Sequence, residues 1–180
     1  MNNKIIIAID AMGGENSPNK NIEGVSIFLK KNKKNTAFFN LYGDENLIKK
    51  EIDKHDILPN KYKIYHSSSV VSDEETPLTA IKNSRDSSMW NSINSQIEYN
   101  SNITLSAGNT GVLFVISRML LKTIDTVSKP ALAGFWPNEK NMNVVLDLGA
   151  NVDCDDKNLI DFSEMGAALY KSLFPDDTPK

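Results

Sequence analysis

The sequence predicts an α/β fold, a Rossmann-like layered structure around a mostly parallel sheet, and three observations carry that reading. Lys4 to Ile9 (KIIIAI) is a short, continuous, β-branched apolar run closed by Asp10 and a glycine pair, the pattern of a strand buried on both faces. Strand and helix patterns then alternate, which is the signature of βαβ units. Three small, Gly-rich loops each follow a predicted strand, as in open parallel sheets that bind ligands beyond the carboxyl ends of their strands.

Taken in order, the apolar positions Ile22, Val25, Phe28 and Leu29 after Pro18 recur at helical spacing, and lysines close the segment. Ala37 to Tyr42 is a second strand stopped by Gly43, and Asp44 can cap a helix carrying Leu47, Ile48 and Ile52. Lys61 to Tyr65 is a weaker third strand, followed by a serine- and acid-rich loop from Ser67 to Thr76. From Pro77 to about Asn94 helical and loop readings compete. Ile103 to Ser106 reads as a short strand. Val112, Val115, Ile116, Met119 and Leu120 then fit i, i+3, i+4, i+7 and i+8, and with Leu113 and Phe114 this helix is apolar nearly all round, hence expected to be central. Ala131 to Phe135 and Val144 to Leu148 are further strands. The last helix carries Leu159, Phe162, Met165, Leu169 and Leu173, with Gly166, Ala167 and Ala168 expected to pack closely on the sheet. The expected organisation is a single α/β domain over residues 1–174 with a tail at 175–180.

At 180 residues the chain matches the roughly 150 residues of an ordinary domain, and its 40% apolar and 24% charged composition is that of a globular protein. Cys154 is the only cysteine, so no intramolecular disulfide is available and a reducing cytoplasm is the expected compartment. The first residues lack a signal-peptide pattern, and no apolar run reaches the ~18 residues of a membrane span. A net charge of -3 argues against non-specific nucleic-acid binding. The basic run at Lys30 to Lys34 lies where a helix should end, which suits the helix dipole.

Chemistry is expected in the loops Asp10 to Gly14, Ser106 to Gly111 and Asp147 to Asp153. In the second, Gly108 and Gly111 let the backbone approach a ligand, while Ser106, Asn109 and Thr110 add donors beside a helix N-terminus that attracts anions. The same pattern also fits a helix cap on a tight turn, so both readings stand at this point. Asp10 and Asp147 could bind a metal, exchange a proton or hold nearby N–H groups. Asp153, Asp155 and Asp156 lack calcium-loop spacing and suit helix capping. Cys154 has no Cys/His signature with His55 or His66, both expected at the surface. Ser87 and Ser88, near Lys82 and Arg85, could dock an anion or belong to an amphipathic helix in which Met89 and Trp90 are core.

At these residues the chain resembles the PlsX family, the phosphate:acyl carrier protein acyltransferases of bacterial phospholipid synthesis. The matching motifs are IAIDAMGG at Ile7 to Gly14, the stretch from Pro77 and Ala80 to DSSM ending at Met89, SAGNTG at Ser106 to Gly111, KPALA at Lys129 to Ala133 and LDLGANVDC at Leu146 to Cys154, with Met165-Gly166 following. The resemblance implies a fold akin to phosphotransacetylases and the isocitrate and isopropylmalate dehydrogenases, here incomplete at the C-terminus. It implies attack of inorganic phosphate on an acyl carrier protein thioester to give acyl phosphate for phosphatidic acid synthesis. Because phosphate is itself the nucleophile, the protein has to hold an anion, stabilise the oxyanion and orient the thioester.

On this reading Asp10, Asn109 and Asn151 are the catalytic candidates. Gly13, Gly14, Ser87, Ser88, Ser106, Gly108, Thr110, Gly111 and Gly149 are the candidates for binding phosphate and substrate. The resemblance implies no metal or organic cofactor. It allows a homodimer, a membrane-bound acyltransferase acting downstream, and placement at the membrane periphery. The chain departs from the family pattern at Glu15-Asn16-Ser17, where Asp-His-Ala is usual, at Ser84, where a basic residue is usual, and in its length, about half of that usual. Two other readings follow from the length: a catalytically inactive phosphate- or carrier-binding domain, and an unstable remnant exposing a sheet edge.

Overall fold

The structure of the protein is a computed structural model describing residues 4–33, 36–98, 100–139 and 142–179. The chain divides into two compact units, Met1–Leu121 and Lys122–Lys180. No helix among the described residues is long and apolar enough to cross a membrane.

The first unit is built on four parallel strands, β1 (Ile5–Asp10), β2 (Ala37–Gly43), β3 (Tyr62–His66) and β4 (Ile103–Leu105), in the order β3-β2-β1-β4. Between the first three run α1 (Asn19–Lys31) and α2 (Glu45–His55). Side chains alternate along a strand, so Ile9, Phe39 and Leu41 meet Ile22, Val25, Ile48 and Ile52 in one apolar core. Asp44 caps α2 as its sequence position suggests, accepting from the Leu47 N–H at 2.9 Å.

The stretch with competing readings holds two helices, α3 (Pro77–Asn83) and α4 (Ser88–Ile97). Asp86, at φ +71°, turns the chain between them, and the Ser87 hydroxyl accepts from the Trp90 N–H to begin the second. Helix α4 lies against β1, β2 and β4, and its buried Ser88, Ser92 and Ser95 recur at i, i+4 and i+7. Small side chains let helix and sheet approach closely. Ser92 and Ser95 donate to the carbonyls of Met89 and Ser92, so their burial leaves no hydroxyl proton unsatisfied. Met89 is core as expected, while Trp90 only borders that core.

Helix α5 (Thr110–Leu121) is less central than its composition suggests: Val112 and Ile116 are buried, but Met119 and Leu121 are exposed. His55 also differs from the expected surface placement, being half-buried with Nε2 enclosed, because α1 packs over the end of α2 and Ser26 Oγ donates to the His55 carbonyl.

In the second unit, β5 (Gly134–Pro137) and β6 (Met142–Val145) form a two-stranded antiparallel sheet rather than extending a parallel one, with Gly134 opposite Val145 and Pro137 opposite Met142. Both strands are shifted from the expected Ala131–Phe135 and Val144–Leu148, since the Leu132 N–H is taken by the Asp147 carboxylate. Helix α6 (Asp156–Leu173) starts with a capping box in which Asp155 and Asn158 exchange hydrogen bonds. Buried Asp161 accepts from both the N–H and the hydroxyl of Ser128, which accounts for a carboxylate on the apolar side of this helix. Gly166 meets Leu146 as close packing requires, but Ala167 and Ala168 point to solvent.

Candidate functional site

The strand order reverses between β1 and β4: the chain moves from β1 out to β2 and β3, then returns to the far side of β1. Such a switch point leaves a crevice at the carboxyl ends of the two strands, because their following loops diverge to opposite sides. Loops 10–14 and 106–111 leave from those ends. With Ile9 paired to Leu105, the register brings Ser106 beside Asp10, and Ser106 Oγ donates to Asp10 Oδ2 at 2.7 Å. The Gly108 N–H in turn donates to Ser106 Oγ at 3.1 Å.

Glycines make this convergence possible. A Cβ on Gly13 would stand 2.5 Å from Asp10 Oδ2 and 3.0 Å from the Gly108 nitrogen. Gly14, at φ +85°, would place one 2.7 Å from the Ala107 carbonyl oxygen. The two loops thus meet backbone to backbone beside a carboxyl group that is 1% exposed.

Burial is the main influence on Asp10 and raises its pKa above the ordinary carboxylate value. The Ser88 and Ser106 hydroxyls and the N–H groups of Met12 and Gly13 act in the opposite direction without cancelling it. Asp10 Oδ1 has no hydrogen-bond partner, and neither has the Ser88 hydroxyl, which approaches the carboxyl without closing a bond of regular geometry. Ser69 and Ser84 also have unpartnered buried hydroxyls, and their carbonyls receive the Ser88 and Ser87 N–H groups. A buried polar atom without a partner is costly, so the cluster at the head of α4 is a concentration of unmet hydrogen-bonding capacity.

Two positioning residues here are invisible to motif reading. Asn21 Nδ2 lies 2.9 and 3.0 Å from the carbonyl oxygens of Ala11 and Gly13, and Ser17 Oγ is within 2.6 and 2.7 Å of those of Gly13 and Gly14. These donors gather the carbonyls of the loop on the α1 side. Glu15 and Asn16, at the departure from the family pattern, are exposed. The only signal for Asn21 is a polar residue beside the buried face of α1.

Asn109 is fully engaged within the protein. Its Oδ1 accepts from the Val112 N–H at 3.1 Å, capping α5, while Nδ2 donates to the carbonyls of Asp73 and Glu75 at 3.1 and 3.0 Å. It therefore ties the 106–111 loop to the acid-rich loop before α3. Thr110 and Gly111 open α5 and are exposed, and Gly111 sits near Pro77.

In the second unit, the 147–153 loop follows the antiparallel β6. Asp147 Oδ1 accepts from the Leu132 N–H at 2.8 Å, and Oδ2 accepts from the N–H and Nδ2 of Asn151 at 2.7 and 3.0 Å. Burial works against the charged form, but these donors and the Ala150 N–H outweigh it and hold the Asp147 pKa below the ordinary value. Asn151 Nδ2 also reaches the Pro130 carbonyl at 2.8 Å, joining the 129–133 motif to this loop. Gly149 makes the turn at φ +76°. Cys154 is exposed, and Asp155 serves as the α6 cap.

A family model described as fatty acid synthesis protein matches residues 5–180. The chain is similar to the phosphate acyltransferase of Pelagibacter ubique, with 49% identity over 181 residues, covering 100% of this chain and 53% of that relative. It is 35% identical to the phosphate acyltransferase of Maricaulis maris over 96% of this chain and 49% of the relative. The same-named protein of Bradyrhizobium diazoefficiens is 37% identical over 99% of this chain and 50% of its own length. The chain spans about half the length of the curated relatives it matches.

Proposed function

Because the chain belongs to the fatty acid synthesis protein family, we propose that its first unit holds the phosphate side of a phosphate acyltransferase site. The reaction is transfer of a fatty acyl group from an acyl carrier protein thioester to inorganic phosphate. A phosphate oxygen attacks the thioester carbonyl carbon, a C–O bond forms, and the tetrahedral oxyanion collapses by breaking the C–S bond. Acyl phosphate leaves, and the thiolate takes a proton to become the carrier thiol.

The observation that supports this reading best is the meeting of the 10–14 and 106–111 loops beside Asp10, next to the unpartnered hydroxyl of Ser88 at the head of α4. Phosphate seated there accepts from the Ser88 hydroxyl, beside the N-terminal end of α4, where the dipole also favours an anion. Asp10, kept protonated to higher pH than an exposed carboxyl, donates from Oδ1 to a phosphate oxygen and so avoids placing two negative charges side by side. Ser106 fixes the orientation of that carboxyl. Gly13, Gly14 and Gly108 let the two loops meet backbone to backbone, Ser87 starts the helix that points at the anion, and Asn109 positions the second loop. The work of these groups is alignment and charge stabilisation, since the nucleophile comes with the substrate.

The test is acyl phosphate formation by the purified chain given an acyl carrier protein thioester, with and without inorganic phosphate, trapped by hydroxylamine. Phosphate-dependent hydroxamate that disappears in Gly108→Val supports the assignment. A folded sample giving none, or a fully active Gly108→Val, overturns it.

A further inference from the structure

The first unit has a second concave feature at the opposite end of its sheet. Helices α1 and α2 run antiparallel to the strands, so their C-terminal ends gather at the amino edge of the sheet, away from Asp10. There the last turn of α1 and the connection from α2 to β3 enclose a cavity of about 290 Å³, at the small end of the range for ligand pockets.

Its walls are held in place from both sides. Ser26 Oγ donates to the His55 carbonyl at 3.2 Å, pinning α1 to the end of α2. Asp56, at φ +54°, turns the chain in the left-handed region, after which Ile57 is buried in the core and Leu58 is 63% exposed. Leu29, Ile57 and Leu58 line the cavity together with Lys30, Lys33 and Lys61, against the single carboxylate of Asp56. Among the described residues neither Lys30 nor Lys33 forms an ion pair. The lining thus combines apolar surface and an excess of cationic charge, and neither property alone selects the same ligand: an alkyl chain needs only the first, a bare anion only the second.

We infer that this cavity binds a single-chain amphiphile with an anionic head, its chain on Leu29, Ile57 and Leu58 and its head at Lys30 and Lys33. Burying Leu58 against an alkyl chain removes apolar surface from water, while the lysines supply the complementary charge. The site is separate from the phosphate site proposed above, and neither depends on the other.

The test is titration of the isotope-labelled full chain with decyl phosphate below its micelle concentration, followed by amide chemical shifts. Inorganic phosphate and decyltrimethylammonium are the controls. Saturable shifts centred on residues 29–33 and 57–61 are expected with decyl phosphate alone. Lys30→Gln/Lys33→Gln and Leu58→Glu, all at exposed positions, should each weaken binding at least tenfold, with thermal unfolding unchanged for Leu58→Glu and lowered by no more than a few degrees for the lysine variant, whose charges also face the C-terminal dipole of α1. Equal response to the cationic amphiphile, or response to inorganic phosphate alone, overturns the inference. So do shifts centred on Asp10 and Gly108, or affinity that survives both variants.

Discussion

Ser106 and Asp10 lie ninety-six residues apart in sequence, yet the Ser106 hydroxyl donates to Asp10 Oδ2 at 2.7 Å across the junction of β1 and β4. The bond occupies one carboxyl oxygen and leaves the other without a partner. That asymmetry underlies the first prediction. Asp10→Asn keeps an acceptor for Ser106 and a donor for phosphate and so should retain acyl phosphate formation within about tenfold, whereas Asp10→Ala loses both and should lower it about 100-fold, the range for a removed stabilising donor. Steady-state kinetics of the purified variants checks this.

Asp10→Asn should also change the pH dependence of stability. The folded-state pKa of Asp10 is raised, so its contribution to stability is fully present below the unfolded value of 3.8 and is lost as pH rises through the folded value. Thermal unfolding from pH 4 to 8 should therefore show a decline that Asp10→Asn lacks, leaving the variant more stable than the parent at pH 8. Parallel curves would contradict it.

Gly13→Ala places a methyl group where only 2.5 Å separates it from Asp10 Oδ2. The carboxyl has to swing off Ser106, so activity should fall by about 10- to 100-fold, as displacement of aligned groups by an ångström does. Gly24→Ala serves as the control, since a Cβ at Gly24 meets nothing within 4 Å. It should keep activity and gain up to about 1 kcal/mol of stability from its helical position.

Asn109→Ala removes the α5 cap and the link to the Asp73 and Glu75 carbonyls together. Caps contribute about 1 kcal/mol, so an unfolding free energy lower by about 1–2 kcal/mol is expected in denaturant titration. Asn109→Asp keeps the cap acceptor but faces two carbonyls with a carboxylate. It should recover only the capping part.

Asn21→Ala tests a residue outside every motif. Without Nδ2 the carbonyls of Ala11 and Gly13 lose their shared donor, and the loop at Gly13 loosens. The KM for phosphate should rise several-fold more than kcat falls, because the loop keeps its sequence and loses only its alignment.

The regular elements of the first unit were largely legible because their burial is apolar and one-sided: Ile22 and Val25 on α1, Ile48 and Ile52 on α2, and the alternation in β2. The loops at Gly13 and Gly108 were legible as backbone that needs room. What escaped is polar burial. Ser88, Ser92 and Ser95 face the sheet without appearing in any hydrophobic pattern, and Asn21 works on a loop eight residues away through its amide. The antiparallel pairing of β5 and β6 escaped as well, since a four-residue strand such as Gly134–Pro137 has the same local composition whichever way its neighbour runs.

The three-residue strand β4 gives the site a property that its chemistry does not reveal. Ser106 and the Gly108 loop follow directly from the pairing of Ile103, Thr104 and Leu105 with β1, a long-range closure across nearly a hundred residues. A chain in which β1, β2 and β3 have assembled but β4 has not docked has its carboxyl without its serine and its first glycine loop without the second. On the proposed function, affinity for phosphate is therefore expected to report whether this last strand is seated. A ligand that binds only then stabilises that seated state by mass action, so phosphate bound as proposed would also act as a fastener for the shortest seam of the sheet.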